Sequence, residues 1–135
     1  YDTSKPPLEK DQAYHQGTVW PWLIGPYAEA LARVRREQGW DDSRIRSELR
    51  ALMTPLVAAL VSRPEGSLPE VFDGGGPDAA LADWTIEDPK GLAGVFSGPP
   101  AQNPGGTRSQ AWSVGEVLRT LIARGLVPPG YSGLP

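Results

Sequence analysis

Apolar residues recur at helical spacing in three stretches of the chain, and the tracts before and between them show no such period. Residues 1–17 are polar, carry Pro6 and Pro7, and read as an irregular arm. A first helix is predicted to begin near Thr18 to Pro21. Thr18 is placed to cap it, and Pro21 suits its first turn, where the missing N–H is not needed. Leu23, Tyr27, Ala30, Leu31 and Val34 then share one face. Pro26 is expected to kink or restart this helix. Arg33, Arg35 and Arg36 suit the negative end of its dipole, and Gly39 ends it.

A second helix follows a very short link. Asp41, Asp42 and Ser43 offer N-cap oxygens, and Ile45, Leu49, Leu52, Met53, Leu56, Val57 and Leu60 form its apolar stripe. Pro55 predicts a kink near Ala51. The third helix is predicted from about Gln110 to Ala123. Its buried face is Val114, Val117, Leu118, Leu121 and Ile122, with Gly125 as the stop and Pro128 and Pro129 beyond. Between the second and third helices about 46 residues, Arg63 to Arg108, lack periodicity, a length more typical of functional loops than of plain connections. The pattern gives an all-α chain of about three long helices with long Pro/Gly-rich loops. If the helices pack antiparallel, the N-termini of the first and third share one end with both irregular tracts. A site is expected at that end, where helix N–H donors are unpaired.

Composition narrows the function classes. The formal net charge is −3, which argues against nucleic acid as a partner. There is no cysteine, hence no disulfide and no thiolate nucleophile, and His15 is the single histidine, which excludes a multi-histidine metal site in this chain. No run approaches ~18 consecutive apolar residues, so no membrane span is expected, and no signal peptide is visible. A cytoplasmic protein is the resulting expectation. A start at Tyr1 rather than Met suggests a piece of something longer. The 16 glycines and 15 prolines fall mostly between the periodic segments, which marks loops on a helical frame. The tract Arg63 to Arg108 carries a net charge of −4. The arginines between Arg33 and Arg50 read as a solvated helix face. Gly74-Gly75-Gly76 is not a phosphate loop, because no Lys-Ser/Thr and helix follow at the needed spacing.

Three segments converge on the expected site: Tyr14-His15-Gln16-Gly17-Thr18-Val19-Trp20-Pro21-Trp22, Leu68-Pro69-Glu70-Val71-Phe72-Asp73-Gly74, and Ser109-Gln110-Ala111-Trp112-Ser113-Val114-Gly115-Glu116-Val117-Leu118-Arg119. Their order and spacing resemble the C-terminal signature of the bacterial and archaeal amylo-alpha-1,6-glucosidases, the glycogen debranching enzymes. The resemblance covers most of 14–73 and 104–123. Residues 74–103 depart from it as an insertion-like loop holding Trp84 and Phe96, and Thr107 or Arg108 stands near the place of a cysteine in that family. The resemblance implies a glucoamylase-like (α/α)6 barrel. In it residues 1–135 are the C-terminal fragment of the catalytic domain and supply roughly the last three helices, the first and third inner and the second outer. It further implies hydrolysis of alpha-1,6-glucosidic branch linkages by two carboxylic residues, with inversion and without a cofactor.

By the same resemblance Glu70 is the general base, since Pro69-Glu70-Val71-Phe72-Asp73 is similar to the "EQFD"-like segment that often holds the base in glucoamylase-type enzymes. Such a carboxylate stays ionised and holds a water opposite the leaving group, ~6.5–9.5 Å from the acid in inverting enzymes. The plain alternative is a solvated loop Glu. Asp73 is the competing carboxylate, a substrate-binding candidate that more simply caps the turn before Gly74. His15 and Gln16 match sugar hydroxyls in hydrogen-bonding capacity; a lone His also serves as a bonded structural residue. Trp20, Trp22 and Trp112 either stack on a pyranose face or fill the core, Trp20 being the site-facing choice. Gln110 and Trp112 open the third helix toward the site. Arg108 either binds a hydroxyl or pairs with a loop carboxylate.

The general acid is expected outside this chain, so the isolated 135 residues are expected to be inactive. They are expected to need a glucan substrate and the remaining barrel helices as partners, and to self-associate through uncovered apolar faces. A non-catalytic carbohydrate-binding or interaction module derived from the same barrel is the alternative.

Overall fold

The computed structural model describes residues 1–63, 65–74 and 103–127. In chain order these form α1 (Pro7–Ala13), a 3-10 turn (Pro21–Leu23), α2 (Ile24–Glu37), α3 (Asp42–Val61), β1 (Val71–Phe72), β2 (Pro104–Gly105) and α4 (Ala111–Ala123). The fold is mostly helical, as the periodicity predicts. The insertion-like loop 74–103 lies outside the described residues except for Gly74 and Asn103 at its ends, as do Pro128 and Pro129 beyond the expected stop at Gly125.

The N-terminal arm is not wholly irregular. Pro6 is extended and Pro7 takes the first helical position of α1, with Glu9 in the first turn and Lys10 in the last. This helix buries none of its residues, so it leaves no apolar period to read. Thr18 does not cap the following helix. Its hydroxyl turns back to donate to the carbonyl of Tyr14 (2.6 Å) and closes the end of α1.

Pro21 opens the 3-10 turn, and α2 starts only at Ile24, without a side-chain cap. Pro26 therefore falls in the first turn of α2, where it needs no hydrogen-bond partner and interrupts nothing. Gly39 ends the helix at φ +80°, a conformation that disfavours any side chain.

Of the predicted apolar face of α2 only Leu31 packs against the core, half-buried; the rest is overturned. Gly25, Ala28 and Ala32 are its buried residues, while Leu23, Tyr27 and Val34 are 45%, 56% and 51% exposed and Ala30 is exposed. Small residues let α2 approach its neighbours closely; at Gly25 an added Cβ would collide with the Glu116 and Arg119 side chains of α4.

Asp41 caps α3 by accepting the Arg44 N–H at 2.8 Å, a contact worth about 1 kcal/mol. The helix runs as one element through Pro55. Ile45, Leu49, Met53, Val57 and Leu60 of α3 meet Ala28 and Ala32 of α2, Val117 and Leu121 of α4, and Leu68, Phe72 and Leu126 in one core. Full burial of each large aliphatic side chain contributes ~1.5–3 kcal/mol. On α4 Ser113, Val117, Thr120 and Leu121 are buried. Val114 and Leu118 are only half-buried, and Ile122, expected inside, is 57% exposed. Gly125 turns the chain at φ +59°, and Leu126 N–H returns to the carbonyl of Leu121 (2.9 Å).

Ion pairs fasten the helices at their rims. Glu29 of α2 binds Arg124, and Arg119 of α4 lies 3.7 Å from it. Arg35 of α2 forks onto Glu48 of α3. Within the arginine run, Arg35 and Arg44 also stack over Trp40 at 4.5 and 3.5 Å. No helix among the described residues is long and apolar enough to cross a membrane.

Candidate active site

The three motif segments meet through the backbone. Val19 and Phe72 exchange hydrogen bonds of 3.1 and 2.8 Å, which lays the 14–22 segment along one side of β1. On the other side β1 pairs antiparallel with β2, Val71 opposite Gly105 and Phe72 opposite Pro104. The pairing extends outward: Glu70 N–H donates to Thr107 O (2.8 Å), Asp73 N–H to Asn103 O (2.9 Å) and Gln110 N–H to Leu68 O (2.8 Å). The last bond sets the start of α4 beside β1. Thus Tyr14, Glu70 and Gln110, far apart in sequence, come within reach of one another.

Glu70 is half-buried at this junction. Its Oε2 accepts both the backbone N–H and the hydroxyl of Thr107, each at 2.9 Å. The Tyr14 and Gln110 side chains also lie close enough to the carboxylate to stabilise its charge. The Thr107 N–H bond is the main reason that the carboxyl lies below its ordinary value of 4.5. Burial opposes this, and Tyr14, Thr107 and Gln110 side chains add to the lowering. Glu70 is therefore ionised at neutral pH. Tyr14 is pushed the other way, to about 12, first by burial and then by the bond to Glu70 and its charge. It remains a neutral donor. Gly106, at φ +66°, lets the chain pass closely: an added Cβ would stand 2.8 Å from Glu70 Oε2.

Aromatic rings cluster around Tyr14. Tyr14 meets Tyr1, His15 and Trp20 edge-on, with centroids 5.6, 5.4 and 5.2 Å away. His15 lies stacked on Trp20 at 5.8 Å with the planes 12° apart. Of the stacked pair, His15 is the exposed ring and Trp20 the half-buried one. Trp20 also lines an apolar groove of about 400 Å3 with Leu23, Ile24, Tyr27, Leu56 and Phe72, to which Glu70 does not contribute. Trp22 and Trp112 form a separate tilted pair at 6.3 Å, with Trp112 56% exposed.

The remaining candidates divide. Gln110 sits at the N-cap of α4 and reaches Glu70. Gln16 is exposed. Asp73 is buried, and its oxygens accept the Thr3 N–H (2.8 Å), the Thr3 hydroxyl (3.0 Å) and the Asn103 amide (3.1 Å). It binds the N-terminal arm instead of capping the Asp-Gly turn. Arg108 offers its carbonyl to Arg63 (2.7 Å). Thr107, which hydrogen-bonds Glu70 directly, and Tyr14, which stands near it, have no role assigned from the sequence. Tyr14 lies inside the first motif, and Thr107 is marked in the sequence only as standing near the place of the family's cysteine.

A family model described as amylo-alpha-1,6-glucosidase matches residues 1–85. The chain belongs to the amylo-alpha-1,6-glucosidase family. The matched span holds Tyr14–Trp22, Glu70 and Asp73 and stops before Gln110 and Trp112. Membership makes this a glycoside-hydrolase-related region of the glycogen debranching type. Comparison with curated proteins and with solved structures gave no match.

Proposed function

We propose that Glu70 is the general base of an inverting hydrolysis of alpha-1,6-glucosidic branch linkages in glycogen-like glucans, carried out by a cytoplasmic enzyme of glycogen breakdown. One observation carries this reading: a half-buried carboxylate held by two Thr107 donors, its charge further favoured by the nearby Tyr14 and Gln110 side chains of the other two motif segments. A base of this kind takes a proton from the water that attacks the anomeric carbon. The general acid then comes from outside these residues, as do the remaining helices of an (α/α)6 barrel in which α2 and α4 are inner and α3 outer. His15, Gln16, Gln110, Trp20, Trp22 and Trp112 contact glucose units, and Asp73 supports the site through the arm.

Glu70→Gln in the full-length enzyme tests the assignment. Turnover should fall by about 100-fold or more while maltooligosaccharides still bind. A loss smaller than about tenfold overturns it.

A second reading has an observation of its own. Thr107 brings two donors to one oxygen of Glu70, and the Tyr14 and Gln110 side chains stabilise the same carboxylate. That is also how a structural carboxylate is held. On this reading the chain is a non-catalytic carbohydrate-binding module. Saturable binding of maltooligosaccharides to the full-length protein with no glucose released from branched glucan supports the module and excludes the enzyme.

A further inference from the structure

Thr107 stands apart from the other groups around Glu70, because both of its donors go to the same oxygen. The backbone N–H and the hydroxyl each lie 2.9 Å from Oε2. The same two residues are also tied through their backbones, Glu70 N–H to Thr107 O at 2.8 Å. An oxygen of a carboxylate has two lone-pair positions, and Thr107 fills both on Oε2. Gly106 completes the arrangement: its positive φ and missing Cβ let the Thr107 segment close on the carboxylate. Thr107 lies beyond the matched residues 1–85, and its side chain is exposed, so the core does not depend on it.

We propose that Thr107 is a positioning residue that fixes Glu70 by Oε2 and thereby makes Oε1 the oxygen that takes the attacking water. This rests on the reading of Glu70 as the base. With Oε2 filled by Thr107, Oε1 is the oxygen left for water. The geometry thus assigns distinct tasks to the two oxygens. Oε2 sets the plane and rotamer of the carboxylate, and Oε1 receives the proton.

Thr107→Val keeps the N–H and the side-chain shape but removes the hydroxyl, and Thr107→Ser restores the hydroxyl. Both are compared in the full-length enzyme with Glu70→Gln alongside, over the pH range of turnover on a branched oligosaccharide. Thr107→Val should lower kcat about tenfold, leave KM within about twofold and move the acidic limb of the kcat profile to higher pH. Thr107→Ser should return all three toward the parent. If Glu70→Gln is inactive but Thr107→Val behaves as the parent, or Thr107→Ser is as impaired as Thr107→Val, the positioning role is wrong and the base reading stands. If Glu70→Gln keeps its turnover, both fall together.

Discussion

Asp73 and Thr3, seventy positions apart, are joined by two hydrogen bonds, one from the Thr3 backbone N–H to Oδ1 at 2.8 Å and one from its hydroxyl to Oδ2 at 3.0 Å. Asn103 adds a third donor to Oδ2. The N-terminal arm, the end of β1 and the start of the 103–110 segment therefore share one buried carboxylate. Gly74 extends the junction, donating its N–H to Tyr1 O (3.0 Å) at a spot where an added Cβ would strike the Gly17 carbonyl.

Asp73→Ala removes the acceptor for three hydrogen bonds from half-buried donors. It should destabilise the chain by about 2–3 kcal/mol, read as a lower urea midpoint. A change below about 0.5 kcal/mol would show that the arm is held by its backbone contacts alone.

Much of the frame was legible because its signals are local. The Asp41 cap and the Gly39 and Gly125 stops act on the turn beside them, and each performs as its residue type predicts. The face of α2 was not legible. A hydrophobic period marks large residues as inside, but packing here selected the small ones, Gly25, Ala28 and Ala32, and left Leu23, Tyr27 and Val34 out. The motif segments did mark where Glu70 and Gln110 would meet. The partners of Glu70 and Asp73 could not be read, because Thr107, Thr3 and Asn103 reach them through pairing across 30 to 70 positions.

The pairing of Glu29 with Arg124 and Arg119 makes stability depend on pH in a defined direction. The Arg124 hydrogen bond is the main cause that lowers the Glu29 carboxyl below 4.5, with burial opposing it and the charges of Arg124 and Arg119 adding. A carboxyl lowered on folding stabilises the chain above its unfolded value, and that contribution is lost as pH falls through its folded value. Glu29→Gln should therefore be less stable than the parent at pH 7, by about 1 kcal/mol at most for a half-buried surface pair. The difference should shrink as pH falls below 4.5. Urea midpoints measured from pH 7 down to acid check it, and a constant gap excludes the ion pair as its cause.

The exposed side chains of Leu23 and Tyr27 border the apolar groove of about 400 Å3 between α2, α3 and Phe72. Apolar surface of this kind favours association in water. The 135-residue chain should self-associate in a concentration-dependent way in sedimentation. The double change Leu23→Lys and Tyr27→Lys should make it monomeric. A parent chain that is strictly monomeric at high concentration contradicts the expectation.

Asp73 N–H on Asn103 O at 2.9 Å, together with the β1–β2 register, has a consequence for how such a chain varies. The chain departs after Gly74 and re-enters at Asn103 through neighbouring points of one ladder. The distance to be closed is the same whatever lies between. The entropy of closing a loop grows only logarithmically, about 0.6 kcal/mol for each doubling of its length. Sequence can therefore be gained or lost between those points at small cost to stability, while the register of Glu70 against Thr107 stays the same.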